Sequence, residues 1–267
     1  MEDYIKINKQ TWNNKTEVHI GSDFYDNDSF LKGKSTLNSI ELDLLGDLKD
    51  KKILHLQCHF GQDSLSLARM GAKVTGVDLS DKAIEKAIEF NQLLNLDAKF
   101  ICCDIYDLPD YLNEKFDIVF TSYGTIGWLP NLTKWANIVS QFLKPGGKFI
   151  MAEFHPVVWM FDNDFKTVFY NYFNVSPIVE DESGTYADRY SEIEAKTITW
   201  NHPTSEVLNS LIQAGLKINL FNEYNYSPYN CFNETEEYEN GKFRIKHLEN
   251  KIPMVFSILA EKLQIAK

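Results

Sequence analysis

A chain of 267 residues with 44% hydrophobic and 24% charged side chains can bury the core of one large domain with an embellishment, and it contains no apolar tract of the length a membrane helix needs. Its 27 Lys and Arg against 38 Asp and Glu leave a formal charge of -11, which repels a phosphate backbone; with no basic cluster in view, nucleic acid is excluded as a partner. The opening MEDYIKINKQ has no signal-like apolar run, and Cys58, Cys102, Cys103 and Cys231 show neither CxxC pairing nor a disulfide framework, so a cytoplasmic protein with reduced, metal-free thiols is expected.

Residues 1–50 are aromatic-rich, with Trp12, Phe24, Tyr25 and Phe30, and read as a helical or irregular cap segment. From residue 51, short β-branched runs alternate with longer helical ones, the pattern of a parallel sheet with helices on both faces. KKILHL is the first strand, and a helix follows from Gly61 with Leu65, Leu67, Ala68 and Met70, closed by Gly71. AKVTGVDLS is a strand ending in Asp78, and Ser80 caps a helix whose Ile84, Ala87 and Ile88 share a face. AKFICCD and FDIVFTS are the third and fourth strands. From Asn131 a helix sets Trp135, Ile138, Val139 and Phe142 on one stripe, stops at LKPGG, and gives way to a fifth strand, KFIMAEF. An aromatic-rich insertion spans about 154–202. After it come a helix in PTSEVLNSLIQAG, with Val207, Leu208, Leu211 and Ile212 inward, and two last strands, LKINLFNEY and IPMVFSILAEK. The charge run at 233–242 reads as a solvated loop with turn chemistry. The expected organisation is thus a cap segment over 1–50 and a domain over 51–267, with the insertion covering the carboxyl ends of the strands, where open α/β sheets bind ligands.

The turn LHLQCHFGQD keeps a single glycine, Gly61, between strand and helix. Such a turn offers backbone N–H groups to an anion, and Asp78 at the end of the next strand is placed to accept ribose hydroxyls. A dinucleotide pyrophosphate needs G-x-G-x-x-G, which is missing, whereas the amino-acid end of S-adenosylmethionine is suited by polar side chains such as Gln57, His59, Gln62 and Asp63.

The stretches ILHLQCHFGQD, VTGVDLS, CCDIYDL, and FDIVF followed by LKPGGKFIMAE resemble those of class I S-adenosylmethionine-dependent methyltransferases, closely over about 50–153 and loosely through the whole element order. The resemblance implies a Rossmann-like, seven-stranded, mostly parallel α/β sheet with an antiparallel last strand. It implies that Gly61 and its neighbours Gln57, Cys58, His59, Gln62, Asp63 and Ser64 line the methionine moiety, that Asp78 takes the ribose hydroxyls, and that Leu79, Asp104 and Ile105 flank the adenine. Thr121, Ser122 and Tyr123 would lie under the sulfonium. Where the family turn reads D-x-G-x-G-x-G, this chain has His55, Gln57, His59 and Gly61, so Asp63 is the substitute for the acid that helps bind the ammonium.

The implied activity is methyl transfer from S-adenosyl-L-methionine to an O, N, S or C nucleophile of a small, apolar or cationic acceptor, releasing S-adenosyl-L-homocysteine. The alternatives are a non-catalytic sensor of the same cofactor or, less favoured, a nicotinamide oxidoreductase. AEFHP sets Glu153 and His155 at the end of the fifth strand as acid–base candidates, with His202 as competitor. No metal site and no oligomeric state are read.

Overall fold

The computed structural model describes residues 3–263. The chain begins with α1 (Tyr4–Ile20), α2 (Asn27–Leu31) and α3 (Ser39–Leu45), then alternates through β1 (Lys52–Leu56), α4 (Gln62–Arg69), β2 (Lys73–Asp78), α5 (Asp81–Leu93) and β3 (Lys99–Cys102). It continues with α6 (Leu108–Tyr111), β4 (Phe116–Ser122), α7 (Leu132–Phe142) and β5 (Leu143–Phe154). The hairpin β6 (Ile178–Ser183) and β7 (Glu194–Thr199) interrupts the alternation before α8 (Thr204–Gln213) and β8 (Leu216–Tyr224). A second hairpin, β9 (Thr235–Glu239) and β10 (Lys242–Ile245), precedes the last strand, β11 (Val255–Lys262).

One seven-stranded sheet has the order β3-β2-β1-β4-β5-β11-β8. Strands β1 to β5 run parallel, and β11 is antiparallel to both β5 and β8. Successive side chains on a strand point to opposite faces, so the unbroken apolar runs supply two cores. Ile53, Ile118, Phe120 and Ile150 pack with Leu65 and Leu67 of α4 and Ala83 and Phe90 of α5. Leu54, Leu56, Val119, Phe149 and Met151 pack on the other face with Trp135, Val139 and Phe142 of α7 and Val207 and Leu211 of α8. Each such large side chain, fully buried, is worth about 1.5–3 kcal/mol of transfer free energy. Among the described residues no helix is long and apolar enough to cross a membrane.

The structure corrects several expectations. Ile212 is exposed rather than inward, and Ile88 is exposed, off the buried face of Ile84 and Ala87. On α5 the buried stripe runs instead through Ala83, Ile84, Ala87 and Phe90. Residues 143–147 are counted in β5, yet the pairing with β4 jumps from Phe116↔Leu143 to Ile118↔Lys148, so three extra residues loop out with Gly146 at φ 76°, and the reversal read at LKPGG falls inside the start of the strand. Residues 233–242 are not a loop but most of the β9–β10 hairpin, with Asn240 and Gly241 at its two-residue turn. The N-terminal segment carries a 17-residue helix whose buried positions are polar: Asn8, Thr11, Lys15, Thr16 and His19.

Helix α1 is stitched to the β6–β7 hairpin through that polar face. Asn8 exchanges two hydrogen bonds with the Ile198 backbone, Nδ2 to Ile198 O at 2.8 Å and Ile198 N to Oδ1 at 3.0 Å. Thr11 Oγ1 donates to Lys196 O at 2.6 Å, and Lys15 Nζ lies 2.7 Å from Glu182 Oε2. From another side of the helix, Asn13 Nδ2 donates to Asp81 and Asn13 Oδ1 accepts from Ser80, just beyond the end of β2. The helix thereby ties the insertion to the sheet.

Candidate functional site

The turn after β1 resolves the missing glycines. Gln57, His59 and Gly61, at the positions where the family pattern has glycine, take φ of 55°, 49° and 78°, so the glycine-type backbone is kept with two larger residues in it. A non-glycine residue in this left-handed region costs roughly 1–2 kcal/mol. Hydrogen bonds hold both: Gln57 Nε2 donates to Thr125 O at 2.8 Å, and His59 N donates to Asp78 Oδ2 at 2.8 Å. The His59 ring meets His19 of α1, Nε2 to Nδ1 at 3.0 Å. Gly61 is required on two grounds, because a Cβ there would also sit 2.9 Å from Ala87 Cβ and from the Phe100 ring.

Burial pushes the His19 imidazole down to about 2 and those of His55 and His59 to about 3, so all three are neutral. His55 Nδ1 bonds Ser64 Oγ at 2.8 Å inside the core, the behaviour of a structural histidine.

Carboxylates end the next strands. Asp78 accepts from His59 N and from Ser80 N at 2.9 Å, one bond per oxygen, which leaves lone pairs on both for a ligand; burial raises it to about 6. Asp104 accepts from Tyr106 N at 2.8 Å, and burial raises it too. Asp63 is held between Thr36 Oγ1 at 2.5 Å and Ser122 Oγ at 3.1 Å, again raised by burial.

These groups open onto one cavity of about 1060 Å³ at the carboxyl ends of β1 to β5. Its walls combine α1, the 24–38 segment, the insertion and residues 229–233. Gln57, Cys58, His59, Gly61, Gln62, Asp63, Asp78, Leu79, Asp104, Ile105, Ser122 and Tyr123 all line it, as do Glu153 and His202. Ser64 and Thr121 do not. Both are fully buried, Ser64 under His55 and Thr121 with its hydroxyl donating to Leu56 O at 3.3 Å, so each supports the site from behind.

His155 is a correction of a larger kind, since it is turned from the cavity. Its Nε2 lies 2.9 Å from Glu223 Oε1 on β8, its Nδ1 accepts from Val157 N, and burial lowers its pKa against the pull of Glu223. Glu153 reaches the cavity wall with both oxygens occupied: Oε1 accepts from Gly124 N and Phe154 N, and Oε2 from Thr125 N, Thr125 Oγ1 and Ile126 N. It anchors the loop carrying Tyr123, whose φ of 43° is itself left-handed. His202 is clamped between Leu129 O at 2.8 Å and Glu206 Oε2 at 3.0 Å, with both ring nitrogens engaged.

Sequence reasoning passed over several contributors. Glu41, fully buried, accepts from Tyr123 Oη at 2.8 Å and from Asn38 N at 2.6 Å, and burial raises it to about 7. Tyr229 Oη accepts from Asn38 Nδ2 at 2.8 Å, and Tyr25 and Tyr186 pair their hydroxyls at 2.6 Å. The Asn38-x-x-Glu41 spacing of a capping box was a legible signal for the α3 start. Nothing local marked Lys15 or Tyr229 as lining the site, or His19 as the buried partner of His59.

The methyltransferase-domain family matches residues 47–208, more than half of the chain. An uncharacterized methyltransferase of Synechocystis is 33% identical over 132 residues, 48% of this chain and 59% of the relative. The ubiquinone biosynthesis O-methyltransferase of Chromobacterium violaceum is 28% identical over 127 residues, 46% and 54% of the two chains. The chain thus spans little more than half the length of these relatives. Among solved structures, a geranyl diphosphate C-methyltransferase from Streptomyces coelicolor, in complex with Mg2+, geranyl diphosphate and S-adenosyl-L-homocysteine, superposes over 98% of both chains with a TM-score of 0.61 at 15% identity. An S-adenosylmethionine-dependent methyltransferase from Clostridium acetobutylicum covers 93% of this chain and 95% of its own, with a TM-score of 0.58 at 17% identity. Sequence match, strand order and the glycine-type turn agree, and the chain belongs to the class I S-adenosylmethionine-dependent methyltransferase family.

Proposed function

We propose that this chain transfers the methyl group of S-adenosyl-L-methionine to an O, N, S or C nucleophile of a small molecule bound under the cap. The observation that carries the reading is the cavity itself: at about 1060 Å³ it is at the top of the range of roughly 300–1,000 Å³ typical of single-ligand sites, and its cofactor-like lining fills only the end nearest β1 to β3. Family membership sets aside the nicotinamide alternative.

When bound, the cofactor supplies a sulfonium methyl group that an acceptor lone pair attacks in line, the C–S bonding pair staying on sulfur. The chain's residues divide the binding. Asp78 accepts from the ribose hydroxyls through its free lone pairs, and Asp104 accepts from the adenine amine. Gln57 has a buried Oε1 without a partner and, with its Nε2 committed to Thr125 O, offers that oxygen to the ammonium beside Asp63. Ser122 and Tyr123 stand at the end of β4 between the two halves of the cavity. With the leaving group already activated, alignment and water exclusion carry the chemistry, and proximity supplies as much as about 7–11 kcal/mol in favourable cases. Glu153 and His202 hold the wall in place, and no general base is assigned.

Calorimetry with S-adenosyl-L-homocysteine and a methyl-transfer screen over small acceptors test this. Binding with turnover supports the enzyme reading. Binding with no acceptor methylated would leave the sensor alternative, and no binding would defeat both.

A further inference from the structure

Nine carboxylates and three cationic side chains line the cavity among the described residues, and each cation is already engaged within the protein. Lys15, buried, lies on Glu182 and within 5.8 and 5.5 Å of the Trp12 and Trp128 ring centroids. Lys34 Nζ is 3.1 Å from Asp26 Oδ2, and Arg189 Nη2 donates to Phe232 O at 2.6 Å. Arg189 gives one N–H to a carbonyl and keeps its charge, but nine carboxylates against three cations leave an anionic acceptor facing a surplus of negative charge. The diphosphate-binding structure has the same fold, but a diphosphate here would face nine carboxylates against three cations.

The cap side of the cavity points the other way. Asp162, Glu180, Asp181 and Glu182 contribute to it; side chains alternate along β6, so Glu180 and Glu182 share the less exposed face while Asp181 is on the exposed one, opposite Lys196. Asn201 is 4% exposed and donates through Nδ2 to Pro156 O at 3.0 Å and Asn171 O at 3.1 Å, which fixes the amide's orientation. Its Oδ1 is then left buried with no donor. A buried acceptor without a partner carries its desolvation cost uncompensated until a donor arrives. Asn201 also borders a smaller recess beside Tyr170, whose hydroxyl donates to Glu180 Oε1 at 2.5 Å.

Resting on the methyltransferase reading, we infer that the acceptor bears a cationic group, an ammonium or amidinium, bound on the cap side by Asn201 Oδ1 and the Glu180 carboxylate. Such a group brings several N–H donors and a positive charge to a wall that has acceptors and negative charge in excess. The cation is a recognition handle and not the nucleophile, because an ammonium has no lone pair to give to the methyl carbon.

The test uses benzylamine and benzoate, two probes of one shape and opposite charge, titrated calorimetrically into the full chain saturated with S-adenosyl-L-homocysteine. Benzylamine is expected to bind at least about tenfold more tightly than benzoate. The variant Glu180→Gln should remove most of that preference while S-adenosyl-L-homocysteine affinity stays unchanged. Equal affinities, a preference for benzoate, binding of neither probe, or an unaltered preference in Glu180→Gln each overturn the inference. Wild-type protein that fails to bind S-adenosyl-L-homocysteine would overturn the methyltransferase reading, whereas intact cofactor binding without an amine preference overturns this inference alone.

Discussion

Gly61 and Gly215 have nearly the same backbone, φ 78° and 83°, in different surroundings. A Cβ on Gly215 meets nothing within 4 Å, whereas one on Gly61 meets Ala87 Cβ and the Phe100 ring at 2.9 Å. Substitution by alanine at Gly215 therefore costs only the left-handed backbone term of roughly 1–2 kcal/mol, less about 0.4–1 kcal/mol regained from the stiffer unfolded chain. Gly61→Ala has that same net cost plus overpacking of about 1–3 kcal/mol, since both neighbours belong to the packed interface of α5 and β3. The difference isolates the clash. Thermal unfolding should show Gly61→Ala lower than Gly215→Ala by about 1–3 kcal/mol, or roughly 2–12 °C at 2–4 °C per kcal/mol. Only Gly61→Ala should also weaken S-adenosyl-L-homocysteine binding, because the turn must shift away from the cavity. Equal destabilisation by the two substitutions would refute the argument that the turn is pinned between α5 and β3.

In the proposed binding mode Asp78→Ala removes the acceptor for two ribose hydroxyls, so calorimetry should show cofactor affinity falling by roughly 1–3 kcal/mol; unchanged affinity would displace the ribose from this strand end. Acid stability should be biphasic. His19, His55 and His59 have folded pKa values depressed to about 2 to 3, so their stabilising contribution is present above the unfolded value near 6.5 and is lost as pH falls, up to about 1.4 kcal/mol per pH unit for each. Glu41 and Asp78, raised to about 7 and about 6, bind protons in the folded state first and offset part of that loss down to about pH 4.5, so urea unfolding should show the steep fall below it. A stability that stays level from pH 4.5 to 3 would mean the histidines are not buried neutral. Asn8→Ala strips two hydrogen bonds between α1 and β7 and leaves the Ile198 peptide unpaired, so hydrogen exchange should rise in α1 and the hairpin while the sheet keeps its protection; equal protection throughout would show the helix is held by other contacts.

The sheet was legible because its information is local. Ile53 to Leu56, Val74 to Val77 and Phe116 to Phe120 are mostly apolar stretches of strand length, and Ser80 and Asn131 cap helices that follow strands through their own side chains. The turn was legible in part: Gly61 announced it, but that Gln57 and His59 would also take positive φ could not be read from residue types that ordinarily avoid it. AEFHP marked the end of β5 without saying which side each residue faces. The pairing of β5 with β11 sets His155 toward Glu223, and the left-handed backbone at Tyr123 delivers three amides to Glu153. What only the tertiary structure decided is the cap. Helix α1 has no apolar stripe to betray an inward face, because that face is satisfied by Ile198, Lys196, Glu182 and His59, partners 40 to 190 positions away. A polar helix face is buried only where its hydrogen-bond partners converge, and that convergence is a property of the folded chain rather than of any segment of it.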